Sequence, residues 1–413
     1  MLNMRHKSVI TILALLLLCT CIDPYSPKLT GYASVLVVDG LITNVNTSYT
    51  VKLSKAFQDQ NSTPSGVSDA LVSISDDSEN NNLLINKGNG IYKTDSLTFK
   101  GIPGRTYTLH IHTKEGEEYE SDQCVMQSVP EIDNIYFATD QKLITNGTES
   151  QDGISIYLDS KAGDDNQYYR WAYEETWKFK VPFPKKYDYK MADSSFTPVP
   201  YIKDYCWKDK KSDDIIIYSN FTGQAAPIKK IPLLFIATGQ SDRLLIQYSI
   251  LVNQYSISKK EYDFWNNLKQ INESGGDIFA KQPFTVISNI KNINNPAERV
   301  LGYFQVSSVN QKRIYILPDE ITALKIPYFN YPCVQLIKEP NDYPNSFMAP
   351  PPTWNDLYSM FCVTSDYYFV EPIFSSAAGG KKNISKMVFA RPECANCELS
   401  GTRKKPDFWI DLN

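Results

Sequence analysis

A mainly β protein, built as an N-terminal immunoglobulin- or prealbumin-like β-sandwich followed by a larger β-sandwich-like domain with a helical insertion, is what this sequence predicts. Three observations carry that expectation. Short runs of β-branched and aromatic residues recur at close spacing, six of them in about 90 residues from Ser34 onward. Aromatic residues make up 13% of the 413, including 27 Tyr, and charged residues 21%, a balance that favours strands and contact surfaces over helical bundles. Strong helix-start chemistry stands out at one place, near Ser258.

The first element is an address. Arg5 and Lys7 precede the apolar run Val9 to Leu18, which has the length of a signal-peptide core and is too short to span a bilayer. Leu18-Cys19-Thr20-Cys21 follows. It resembles a bacterial lipobox, with Leu18 at −3 and Cys21 as the residue that is acylated. Thr20 departs from the usual small residue at −1, and Cys19 is disfavoured by the bulk of Leu18 before it. The competing reading is a cleaved signal with an incidental cysteine. On the lipobox reading, residues 1–20 are a lipoprotein signal peptide and 21–33 a polar, Pro-broken tether. The expected state is anchored through lipid, not spanning.

The first domain is expected over 34–128. Val35 to Gly40, Tyr49 to Leu53, Ala70 to Ile74, Gly90 to Lys93, Gly104 to Ile111 and Glu118 to Ser121 read as strands, and turn residues at Asn89-Gly90, Pro103-Gly104 and Gly116 separate them. The order resembles the prealbumin-like, carboxypeptidase-regulatory sandwich, in which a G-x-Y strand leads through Pro-Gly to a Y-x-L-x-I strand. Modules of that type support other domains.

The second domain is expected over 129–413. Ile154 to Leu158, Tyr169 to Trp177, Ile215 to Tyr218, Leu244 to Asn253, Val300 to Ser307 and Lys312 to Leu317 have strand character. A helix is expected near 258–274, because Ser258 and Glu261 form a capping-box pattern and Tyr262, Trp265, Leu268 and Ile271 recur at helical spacing before Gly275-Gly276. Pro318 to Asp366 reads as irregular and Pro-rich, with Ala349-Pro350-Pro351-Pro352 extended.

Composition excludes several chemistries. Of the three His, His6 falls in the leader, so a histidine base or multi-His metal site must use His110 and His112. These alternate with Leu109 and Ile111 and so share one strand face. A solvated face of an edge strand competes there with a two-ligand metal site, and Arg105 and Lys114 favour the solvated face. Without Arg5 and Lys7 the chain has 40 basic against 46 acidic residues, which offers no footprint for nucleic acid. No phosphate loop, nucleophile elbow or dinucleotide fingerprint occurs. No metal and no cofactor is expected.

Two constellations remain. Cys206, Cys333, Cys362, Cys394 and Cys397 are disulfide candidates in an exported chain, while Cys124 lies in the first domain and the sequence leaves open whether it is paired or free. Cys394-x-x-Cys397 also has redox or half-zinc spacing, but no helix is expected to start there and no second pair matches. Trp171, Tyr173, Glu175 and Trp177 share one strand face. They form either a contact platform with a polar anchor or a sandwich core in which Glu175 meets a cation from another strand.

Tyr168 to Trp177, Tyr248 to Ser258, Tyr262 to Trp265, Asn294-Asn295-Pro296, Val300 to Phe304 and Cys394 to Trp409 together resemble the lipoprotein family called domain of unknown function 4249. Ser400-Gly401-Thr402 departs from it by one glycine. The resemblance implies a Bacteroidota lipoprotein encoded beside a TonB-dependent outer-membrane receptor, and it supplies no catalytic residue. The expected protein is therefore a lipid-anchored, surface-exposed outer-membrane protein. It would act as a non-catalytic accessory or ligand-binding partner of a TonB-dependent transporter. The rival expectations are a surface hydrolase using carboxylates and a structural or adhesive lipoprotein.

Overall fold

The computed structural model describes residues 35–56, 65–143, 150–163, 168–220, 226–274, 286–327, 329–342, 352–376 and 382–412. The leader, Cys21, the tether, Gly275-Gly276, and Ala349 to Pro351 lie outside them. The described chain is mainly β, as the composition predicts.

Residues 35–125 supply ten strands: β1 (Val35–Ile42), β2 (Thr50–Ala56), β3 (Ser65–Gly66), β4 (Leu71–Asp76), β5 (Asn81–Leu83), β6 (Ile85–Asn86), β7 (Ile91–Lys93), β8 (Thr106–His112), β9 (Glu118–Ser121) and β10 (Cys124–Val125). One sheet runs β1-β2-β7-β6 with β3 beside β2. The other runs β9-β8-β4-β5 with β10 beside β8. Inward residues alternate along each strand: Leu36, Val38 and Ile42 on β1 meet Val72 and Ile74 on β4 and Tyr107, Leu109 and Ile111 on β8 in one core.

The next stretch forms β11 (Ile132–Leu143), β12 (Ser150–Ser160), β13 (Tyr168–Lys180), β14 (Tyr187–Lys190), β15 (Ser195–Pro198), β16 (Tyr205–Lys211), β17 (Ile216–Ser219), β18 (Ile228–Ala237) and β19 (Gln247–Ser256). Helix α1 (Lys259–Ser274) follows, then β20 (Ile290–Asn292), β21 (Leu301–Val306) and β22 (Val309–Ile316). A three-stranded sheet β11-β12-β18 packs on the sheet β16-β13-β19-β22, and β17 pairs the other stretch of the β13 flank that carries β16. Ile154, Ile156, Leu158 and Ile236 of the first sheet and Trp171, Phe179, Tyr248 and Ile250 of the second make one core.

The expected break near residue 129 does not divide the chain into two sequential sandwiches. β21 runs parallel to β1, from Val37↔Leu301 to Ile42↔Val306, and β20 pairs β9. Residues 290–306 therefore return to the first sandwich and cover one edge of each of its sheets, bringing Ile290, Phe304 and Val306 into its core. Gly302 makes the close approach possible. Its φ is +85°, and a Cβ there would lie 1.9 Å from the Val38 carbonyl oxygen.

Among the described residues beyond 317, regular elements form where an irregular segment is expected. β23 (Leu336–Lys338), β24 (Tyr368–Ser376) and β25 (Lys382–Ala390) form a small sheet. Near them the β14–β15 hairpin and the turns from Trp354 to Thr364 enclose Tyr189, Leu357, Phe361, Phe369 and Phe389. A one-turn helix, Pro392–Ala395, does begin at the C-x-x-C segment. Its cysteines bridge different partners, Cys206–Cys397 and Cys333–Cys394, so the segment is neither a redox pair nor half of a zinc site. Cys362, also expected as a disulfide candidate, is free, as is Cys124.

Candidate functional site

A cavity of about 900 Å³ opens at one side of the second sandwich. Sheet topology explains its place. β17 lies at the edge of one sheet and β18 at the edge of the other, and both line the cavity, with Lys269, Asn272 and Glu273 from the end of α1 beside them. Tyr173, Glu175 and Arg243 also line it.

Glu175 faces inward from β13 and is 1% exposed. Its Oε2 accepts the Tyr248 hydroxyl at 2.9 Å and lies 3.2 Å from a guanidinium nitrogen of Arg243. Burial pushes the carboxyl above its ordinary range, and Arg243 and the Tyr248 hydrogen bond oppose that shift. The Tyr248 hydroxyl is raised well above its usual value by burial and by Glu175. Burial and Glu175 raise Tyr173 in the same way.

Arg243 is delivered by a short 3-10 turn, Asp242–Leu244, between β18 and β19. Ser241 caps the turn by accepting from the Arg243 amide. Asp242 accepts the Trp177 indole N–H at 3.0 Å and pairs with Lys208 at 2.7 Å. Arg243 also stands 5.4 Å over the Trp177 ring. The turn is thus held on both flanks, which fixes the guanidinium over Glu175.

The four residues expected to share a β13 face do share it, but they divide between two roles. Tyr173 and Glu175 reach the cavity. Trp171 and Trp177 are packed in the core, with the Trp171 indole N–H donating to Gln254 Oε1 at 2.8 Å. The face is therefore a sandwich core with a polar end, not an exposed aromatic platform. Arg243 was missed because a lone arginine in a polar turn carries no spacing signal. Ile215 to Tyr218 reads as a strand from the sequence, whereas Ile231 to Phe235, interrupted by Pro232, does not, and only the pairing makes the two runs strand edges on one cavity.

His110 and His112 do project from one face of β8, beside Glu120 at 3.4 Å and Glu118 at 3.5 Å. β8 is an interior strand between β4 and β9, not an edge, because β9 is recruited on its other side. Among the described residues no group of three or more His, Cys, Asp or Glu is placed to hold a metal. No helix among them is long and apolar enough to cross a membrane.

No curated protein and no solved structure matches the chain. Residues 22–313, which include the first sandwich, the second up to the middle of β22 and the whole cavity lining, match the family model described as Domain of unknown function (DUF4249), and the chain belongs to that family.

Proposed function

We propose that the protein is a non-catalytic, lipid-anchored binding protein of the outer membrane that serves a TonB-dependent transporter as its accessory or ligand-binding partner. The observation that carries the binding role is the cavity. Its volume, about 900 Å³, falls within the range of small-molecule sites, and it sets an aliphatic wall, Ile215 to Ile217 and Ile231 to Leu234, against a charged and polar one that carries Glu175, Arg243, Lys210 and Lys269. Glu175 is occupied by Tyr248 and Arg243 through one oxygen, an arrangement suited to holding shape and charge in place.

The anchor rests on the run Val9 to Leu18 followed by Leu18-Cys19-Thr20-Cys21, and the transporter partner rests on the family resemblance. A lipid tether of this kind works by local concentration: a weak ligand or receptor contact becomes effective when both partners are held in one membrane.

Co-purification from detergent-solubilised outer membrane tests the reading. A stoichiometric β-barrel receptor is expected, and its reproducible absence overturns the partnership. Fatty-acid labelling is expected to tag the wild type and not Cys21→Ser; a labelled variant overturns the anchor. A hydrolytic activity lost in a folded Glu175→Gln protein moves the assignment to the hydrolase.

A further inference from the structure

The cavity lining has a pattern that a site on the face of a sheet does not produce. Side chains alternate across a strand, so a cavity resting on a face meets every second residue. Here two consecutive residues of β17, Ile216 and Ile217, line the cavity with Ile215 just before them, and so do the β18 pairs Ile231-Pro232 and Leu234-Phe235 on either side of Leu233, which the ladder to β12 skips. The cavity meets both strands edge-on.

Those edges are open. Among the described residues β18 pairs only with β12, and β17 only with β13. Each strand thus turns one row of backbone N–H and C=O groups away from its ladder, interrupted on β18 by Pro232, which has no N–H.

Charge in the lining is largely compensated within the protein. Arg243 meets Glu175 at 3.2 Å, Lys210 meets Asp213 at 3.7 Å and Lys269 meets Glu273 at 3.9 Å. Such a lining gives no excess of cations for a phosphate or polyanion. Aliphatic side chains dominate its apolar part; of its two aromatic residues Tyr173 is buried, and the half-buried Phe235 carries the Lys142 ammonium 5.2 Å over its ring. A sugar ring would have to displace Lys142 to stack there.

We propose that the cavity binds an extended apolar peptide segment, which adds as a strand to the free edge of β18. This rests on the ligand-binding reading above and names the ligand class. Open backbone groups supply the hydrogen bonds, and the aliphatic walls take the alternating side chains. From Ile231 to Phe235 the edge spans about 13 Å at roughly 3.3 Å per residue, room for a segment of about five residues. β18 is the docking edge because it has ten residues against four in β17.

The test is fluorescence polarisation on the detergent-solubilised full chain, with a fluorescein-labelled pentapeptide of alternating valine and threonine. Saturable binding is expected. A twin N-methylated at alternate amides, with the same side chains, is expected to bind at least about tenfold more weakly; equal binding overturns strand addition, and this arm needs no variant protein. Ile217→Glu is expected to weaken the peptide by about tenfold or more at an unchanged melting temperature, and unchanged affinity places the peptide elsewhere and overturns the proposal. Tighter binding of the peptide with free termini identifies a free oligopeptide, and tighter binding of the end-capped form a segment of a longer chain; either supports the class. If the peptide fails while maltoheptaose or palmitate binds wild type and not Ile217→Glu, the peptide class falls and the ligand-binding reading stands. Failure of all three probes overturns both.

Discussion

Arg243→Met isolates the electrostatics of the cavity. The methionine keeps the apolar stem and deletes the charge that faces Glu175. Glu175 is 1% exposed and would keep only the Tyr248 hydroxyl as a partner, while the Arg243 side chain is 20% exposed. Removing one member of a buried pair typically destabilises by 3–5 kcal/mol. Partial exposure of Arg243 and the surviving hydrogen bond put this case at the low end, about 3 kcal/mol. The loss must depend on pH. Burial already raises the Glu175 carboxyl, and without Arg243 it rises further, so the native variant takes up a proton more readily than its unfolded chain. Its deficit is therefore full in alkali and shrinks as pH falls through the raised native value. Urea unfolding followed by tryptophan fluorescence reads this directly, because Trp171 and Trp177 belong to the same core. At pH 8 the deficit is expected near 3 kcal/mol and at pH 5 clearly smaller. Adding Glu175→Gln removes the stranded charge and is expected to restore at least half of the loss. A deficit under about 1 kcal/mol at pH 8, or a double variant no better than Arg243→Met, refutes the argument.

Three further outcomes test other parts of the fold. Burial pushes Glu261 up to about 7, against the pull of Arg170 and hydrogen bonds from Trp265 and Ser307. Its contribution is complete below the unfolded carboxyl value and is lost as pH rises through about 7. The wild type is therefore expected to lose up to about 3 kcal/mol between pH 4.5 and 8 that Glu261→Gln does not lose; parallel pH profiles would sink this. Non-reducing peptide mapping is expected to find Cys206–Cys397 and Cys333–Cys394, with Cys362 alkylated only as a free thiol. Replacing Cys206 and Cys397 together by alanine opens a bridge of 191-residue separation and should destabilise by about 4 kcal/mol; a bridged Cys362 would contradict the pairing. Gly302→Ala forces a Cβ into the Val38 carbonyl at a φ of +85°. It is expected to lower the melting temperature and expose the β1 amides to hydrogen exchange, and unchanged exchange would mean that β21 does not close the first sandwich.

Local signals served well where a strand buries one face. Val35 to Gly40, Tyr107 to Ile111 and Tyr169 to Trp177 alternate cleanly, and each is a strand with its apolar residues inside. They served poorly at edges. β11 is exposed over most of its length and β18 contains Pro232, so neither shows clean alternation, yet both frame the second sandwich. Helix α1 shows a subtler failure. Ser258 does cap it, accepting from the Glu261 amide at 3.1 Å. The Glu261 carboxylate, however, turns inward to Ser307 and Trp265 rather than back to the cap. Beside it Arg170 stacks between Tyr255 and Trp265 and donates to Gln305. Ser307 and Gln305 are distant in sequence, so no local pattern announces this junction. The C-terminal segment from Cys394 to Trp409, read as part of the family resemblance, lies beyond the matched residues.

By itself the sequence determined the β class, the position of one long helix, the inward face of β13 and the small set of residues able to do chemistry. Those properties depend on neighbours two to four places away, the range over which side-chain periodicity acts. Tertiary structure alone decided that residues 290–306 close the first sandwich, that Cys394 and Cys397 bridge different partners, and that Arg243 meets Glu175 between two open strand edges. Each of these is a contact between distant segments. Its energy comes from burial and pairing that exist only once both segments are in place.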